Sequence, residues 1–239
     1  MKKFFLILLS ALMLAGCAKD FSESIGFIDE HWAEVDQGDE NAPILFPSEV
    51  FPEIWAHVSD LESRFRVCNV PSDILDKKTT RALGLSILHY PMNDLILTYN
   101  YYDLPVIMVH ERSSLHRELT ARPDAAEELI GIFDETRIDI SINKSTGYSD
   151  ITLQDEMFLE MFLGTRLVPG LDKGSNKEKI KAIVERKRAE RLADKDTFSD
   201  LSLIPLAYMN ERLGLGLKFD NDIVDTMHSF TMGDKLFGK

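Results

Sequence analysis

The 239-residue sequence predicts an all-α fold, a multi-helix bundle or short α-solenoid-like array of about seven helices behind an acidic tether. Three observations predict it. Apolar residues recur at spacings of three and four over most of the chain. Proline and capping residues cut the chain into helix-sized pieces. The one alternating stretch, Arg137 to Ile142, has no second strand to pair with.

The N-terminus reads as a processing signal. Lys2 and Lys3 precede an apolar run, Phe4 to Leu14, broken only by Ser10. That run is too short to span a bilayer comfortably. Leu14-Ala15-Gly16-Cys17 then resembles the lipobox of bacterial lipoproteins, in which cleavage falls before the cysteine and the cysteine is lipidated. The resemblance implies a signal over residues 1–16 and a lipid on Cys17. Ala18 in place of aspartate resembles the outer-membrane class. Lys19-Asp20 resembles surface-export signals of Bacteroidetes lipoproteins, so periplasmic and surface faces both stay open.

Residues 17–52 read as the lipidated cysteine and its tether. From Ala18 to Glu40, eight acids stand against Lys19 alone. Phe21, Ile25, Phe27, Ile28 and Trp32 are the residues able to dock; otherwise the segment is expected to be partly ordered at best. The whole chain carries a net charge of −13, and cleavage removes two of its positive charges. So acidic an exterior disfavours nucleic acid as a partner. With Cys17 taken by lipid, Cys68 is left alone and no disulfide framework exists. Phe65, Val67 and Val70 around it predict a small buried hydrophobe.

Residues 53–239 read as a single helical domain. Ile54, Val58, Leu61 and Phe65 make one face of a helix over Glu53 to Cys68. Thr79 or Thr80 caps the next, which carries Leu83, Leu85, Ile87 and Leu88 and ends at Pro91. Asp94 to Asn100 is a further helix. Pro105 opens another, with Ile107, Met108, Leu115 and Leu119 on it. Asp124 and Glu127 have capping-box spacing before Leu129, Ile130 and Phe133. Arg137 to Ser149 is read as loop. The helix starting at Thr152 or Asp155 is apolar nearly all round, through Met157, Phe158, Leu159, Met161, Phe162 and Leu163, and should be the most buried. Ser175 and Glu178 predict a second capping box, opening a charged helix to about Lys195. Thr197 to Leu213 is the last helix, with Gly214 as its C-cap.

A wider resemblance runs over these helices. Ala82-Leu83, Leu88, Tyr90-Pro91, Tyr99-Asn100, Leu115, Glu118-Leu119, Arg122, Asp124-Ala125 and Leu129 resemble a recurring block in small secreted bacterial proteins of unknown function. Leu159-Glu160, Lys187 and Tyr208 to Leu213 continue it, so it covers residues 79–213. The chain departs from the block at Ser113-Ser114, where Asn-Gly is expected, and at Ala126, where glycine is expected. The resemblance implies an all-helical secreted domain and no catalytic residues.

The chemistry-bearing residues give no convergent set. His110-Glu111 with His116 suggests zinc, but a gap of six on one helix sets the two histidines about 240° apart. A polar helix face is the expectation, and neither metal nor cofactor is expected. Glu156 and Glu160, one turn apart, suit acid–base chemistry; as alternatives they form a solvent stripe or a partner for the Lys/Arg helix. Lys177 to Lys195 holds eight basic and four acidic residues, with Ile180, Ile183, Val184 and Leu192 as an amphipathic face. Ser113, Ser114 and His116 lack a nucleophile elbow. Tyr99, Tyr101 and Tyr102, with His110 nearby, form the candidate ligand-binding edge, suited to a peptide or glycan.

These readings predict a cell-envelope protein, lipid-anchored in the outer membrane. Its partners are the membrane, through the lipid, and a protein, peptide or glycan. A non-catalytic binding module is preferred. An envelope hydrolase and an immunity-type lipoprotein that neutralises a basic toxin are the alternatives.

Overall fold

The computed structural model describes residues 31–51, 54, 61–93, 107, 110–136 and 153–231. Every regular element among them is helical, so the all-α expectation holds. The elements are α1 (Pro47–Val50), α2 (Leu61–Val67), α3 (Ser72–Leu75), α4 (Thr80–Leu88), α5 (Ser114–Ala121), α6 (Ala125–Glu135), α7 (Leu153–Leu163), α8 (Gly174–Ala193), a 3₁₀ turn (Asp200–Leu203), α9 (Ile204–Leu213) and α10 (Asn221–Thr231). Cys17, the tether before His31, the Asp94–Asn100 helix and the Arg137–Ser149 loop lie outside the described residues.

The lead-in to the helices packs into the same core. Trp32, Val35, Ile44 and Phe46, all within the stretch read as tether, are buried. Apolar burial at this density outweighs the charge of the segment. Hydrogen bonds complete the docking. The Ile44 amide donates to Ser86 Oγ, the Thr79 amide to the Glu40 carbonyl, and Lys78 Nζ to the carbonyls of Gln37 and Asp39. Cys68 is fully buried and free, as its apolar neighbours predicted.

Local signals set several boundaries and lose others. Thr79 caps α4, accepting the Ala82 amide. Gly214 ends α9 in the left-handed conformation, φ 60° and ψ 46°, and the Leu215 amide closes back on the Asn210 carbonyl. The helix expected from Pro105 through Leu119 is interrupted instead: Ser113 is extended, and its hydroxyl caps α5 by accepting the His116 amide. Neither predicted capping box forms. Asp124 Oδ1 accepts Thr80 Oγ1 from α4 rather than its own helix start. Helix α8 begins at Gly174, which puts Ser175 inside the first turn. The last predicted helix is a 3₁₀ turn followed by α9, whose first turn holds Pro205, and α10 adds a helix beyond it.

Helix α8 is the axis that positions the candidate site. It packs against α6 and α9, and its charges reach α7. Lys179 pairs with Glu127, and seven residues on in each helix Arg186 pairs with Asp134, so α6 and α8 run parallel. Ile180, Ile183 and Val184 make its buried stripe, as predicted; Leu192 does not join it and is exposed. The stripe is continued by Lys187 and Arg191, both buried.

Candidate functional site

Helix α7 carries two i, i+4 pairs on opposite faces. Glu156 and Glu160 form one, and Phe158 and Phe162, about 200° round the helix, form the other. From Glu156 to Leu163 every side chain except that of Met157 is buried, in line with the sequence. The carboxylates are not a solvent stripe: Glu156 is 2 % exposed and Glu160 0 %. They are the partner of the Lys/Arg helix, whose Lys187 and Arg191 are 4 % and 3 % exposed.

The four groups interlock. Lys187 Nζ lies 2.7 Å from Glu156 Oε1 and also donates to the Thr136 carbonyl at the end of α6. Arg191 Nη2 reaches Glu156 Oε1 at 2.9 Å and Glu160 Oε1 at 2.6 Å. Its Nη1 donates to Glu160 Oε2 at 3.2 Å and to the Ser202 carbonyl in the 3₁₀ turn at 2.6 Å. Two carboxyl groups and two cations therefore bind α6, α7, α8 and the 3₁₀ turn at one point. Phe133 and Phe198 cover it, 5.1 Å from Lys187 Nζ and 5.8 Å from Arg191 Cζ.

Burial makes the network costly and specific at once. Removing an ion from water costs several kcal/mol, which close opposite charge and full hydrogen bonding offset. Burial pushes the Glu160 carboxyl up to about 7, Arg191 pulls against that rise, and Glu156 adds to it. The guanidinium of Arg191 is held above its ordinary range by Glu160 and Glu156, which outweigh its own burial. Within the quartet, Glu156 Oε2 is buried with no partner among the described residues.

The other face of α7 meets the histidines. His110 was expected on a polar helix face; it is instead fully buried. The wheel argument that separated it from His116 assumed one continuous helix, and the interruption at Ser113 removes that premise. The two rings come together, centroids 6.1 Å apart. Tyr90 lies 5.2 Å from His110, Phe162 5.1 Å and Phe158 5.8 Å. His116 Nε2 lies 3.2 Å from the Leu167 carbonyl, while its Nδ1 and both His110 nitrogens have no partner among the described residues. Burial lowers His110 to about 3, with His116 adding to the shift, and burial also lowers His116. Phe46 and then Trp32 extend this aromatic row outward, at 5.6 and 5.8 Å.

Of the residues assigned to a ligand-binding edge, Tyr99, Tyr101 and Tyr102 lie outside the described residues, and His110 sits inside the core. Among the described residues no group of three or more histidines, cysteines or carboxylates is arranged to hold a metal ion. The charge quartet was legible in part. Glu156/Glu160 and Lys187/Arg191 share i, i+4 spacing, and residues 187 and 191 continue the stripe of 180, 183 and 184.

Residues 1–18 match the family model of the prokaryotic membrane lipoprotein lipid attachment site. No curated protein and no solved structure matches the chain. Among the described residues no helix is long and apolar enough to cross a membrane. An N-terminal lipid site ahead of an all-helical domain defines the class: a lipid-anchored protein of the bacterial cell envelope.

Proposed function

We propose that this protein is a non-catalytic interaction module, held at the outer membrane by a lipid on Cys17, that binds a protein, peptide or glycan partner. One observation supports the reading above others. Glu156 and Glu160, the acid–base candidates of a hydrolase, are committed to Lys187 and Arg191 inside the core. A general acid or base must reach a substrate proton within hydrogen-bond distance, and buried carboxylates tied to cations from a neighbouring helix do not offer that. The resemblance of residues 79–213 to secreted proteins without assigned catalytic residues fits the same reading.

Tyr99, Tyr101 and Tyr102 are the side chains we assign to the contact edge, because an aromatic body with a polar tip suits peptide and glycan surfaces. The test is capture from the cell's own envelope extract by the lipidated protein, at low and high salt, compared with the triple variant Tyr99→Ala, Tyr101→Ala, Tyr102→Ala. The expected result is a partner held by the parent and lost by the variant. Absence of any partner, together with envelope-polymer hydrolysis that a folded Glu160→Gln protein lacks, would overturn it in favour of the hydrolase.

A further inference from the structure

We propose that His110 and His116 form an acid-responsive latch, which holds residues 110–116 against α7 while both rings are neutral and releases them when the rings take up protons. The His110 ring is wholly buried between Tyr90 and the Phe158 and Phe162 rings of α7, and neither of its nitrogens has a partner among the described residues. His116 is buried 6.1 Å away. Its Nε2 meets the Leu167 carbonyl, so in the neutral ring that nitrogen carries the proton and the unpartnered Nδ1 is the one that accepts a second.

Among the described residues, no opposite charge compensates a proton added to either ring. The one charge among the described residues that acts on His110 is His116, of the same sign. The facing groups are few. From the segment after α4 comes Tyr90, with Cys68 behind it, and burial pushes both of these acids up, so neither supplies an anion. On α7, Glu156 and Glu160 lie on the far side, held by Lys187 and Arg191. Within the segment itself Glu111 and Arg112 are exposed, and Arg112 pairs with Glu62. Arg117 of α5 and Arg166 beside Leu167 are exposed too. Two cations about 6 Å apart in an apolar cage repel strongly. Parting the cage lets both reach water, and the interruption at Ser113 separates the helical residues 110–112 from α5.

The test takes the full lipidated protein in detergent from neutral pH through 6.5 to about 3, following near-UV circular dichroism and tryptophan emission, since Trp32 ends the aromatic row. When both rings titrate, the closed-to-open ratio should fall by up to about 100-fold per pH unit, and by about tenfold with one ring left. His110→Phe and His116→Gln should each move the transition to lower pH and reduce its steepness to the one-proton value. A transition unchanged in midpoint and steepness in either variant, folded at neutral pH, would overturn the latch. If His110→Phe does not fold, His116→Gln still decides. Amide exchange of the unaltered protein decides separately: corrected for intrinsic rates, it should rise first in residues 110–116 and 153–163, and an earlier rise elsewhere contradicts the proposal.

Discussion

Arg191 makes the case at the residue scale. It is a core residue by position and a charge by chemistry, and four hydrogen-bonding contacts reconcile the two. Arg191→Met strips Glu160 of its cation and leaves Glu156 with Lys187 alone, so a loss of about 3–5 kcal/mol in denaturant unfolding is expected. Replacing all four members with leucine or methionine should recover most of that loss, since a well-packed apolar set avoids the desolvation cost altogether. Glu160 brings a pH dependence of defined sign. Its folded value is raised from 4.5 to about 7, so across that interval the unfolded chain is ionised while the folded one keeps its proton. The contribution is full below 4.5 and is lost as pH rises through 7. In chemical denaturation, the stability difference between the parent and Glu160→Gln should shift against the parent as pH rises from 5 to 8, which isolates the Glu160 contribution from that of the histidines. The histidine pair has the opposite sign: its lowered values favour the fold above 6.5, and that contribution falls away in acid.

At the scale of elements, spacing fixed which faces turn inward, but long-range contacts decided where helices start. Asp124 is drawn to Thr80 of α4, a contact invisible to a rule that looks three residues ahead. Ser113 shows the reverse: a cap within an expected helix, marked by the same Ser-Ser pair that departs from the resembled block. Ser113→Ala should lower stability by about 1 kcal/mol in thermal or urea unfolding. Two glycines then separate tight packing from loose. A Cβ at Gly164 would lie 2.7 and 2.8 Å from the Tyr208 ring of α9 and 3.4 Å from the Glu160 carbonyl. The ring is buried and has no room to turn, so Gly164→Ala should cost about 1–3 kcal/mol. At Gly84 the nearest atom is Ile132 Cδ1, the mobile end of a side chain, at 2.7 Å. Gly84→Ala should be much the milder change in the same assay, because the isoleucine can change rotamer.

For the whole molecule, fold class and anchor were legible because both rest on local pattern: helical periodicity for one, a short apolar run ending at a cysteine for the other. Burial of the charges was not. Glu156, Glu160, Lys187 and Arg191 look solvated one helix at a time, and only the seating of α7 beside α8 turns them inward. Trp32 was legible as a residue able to dock, but the burial of Val35, Ile44 and Phe46 was not, since the acids around the segment argued for a solvated tether. On the proposed reading, the exposed surface serves recognition and the lipid sets where that surface is presented.

Membrane fractionation with acyl labelling, comparing the parent chain with Cys17→Ser, addresses that placement most directly. The parent should fractionate with the envelope and carry label, and Cys17→Ser should be unlabelled and soluble. A Cys17→Ser protein that stays with the membrane to the same extent would contradict the lipid anchor, and with it the reading of this chain as a tethered module.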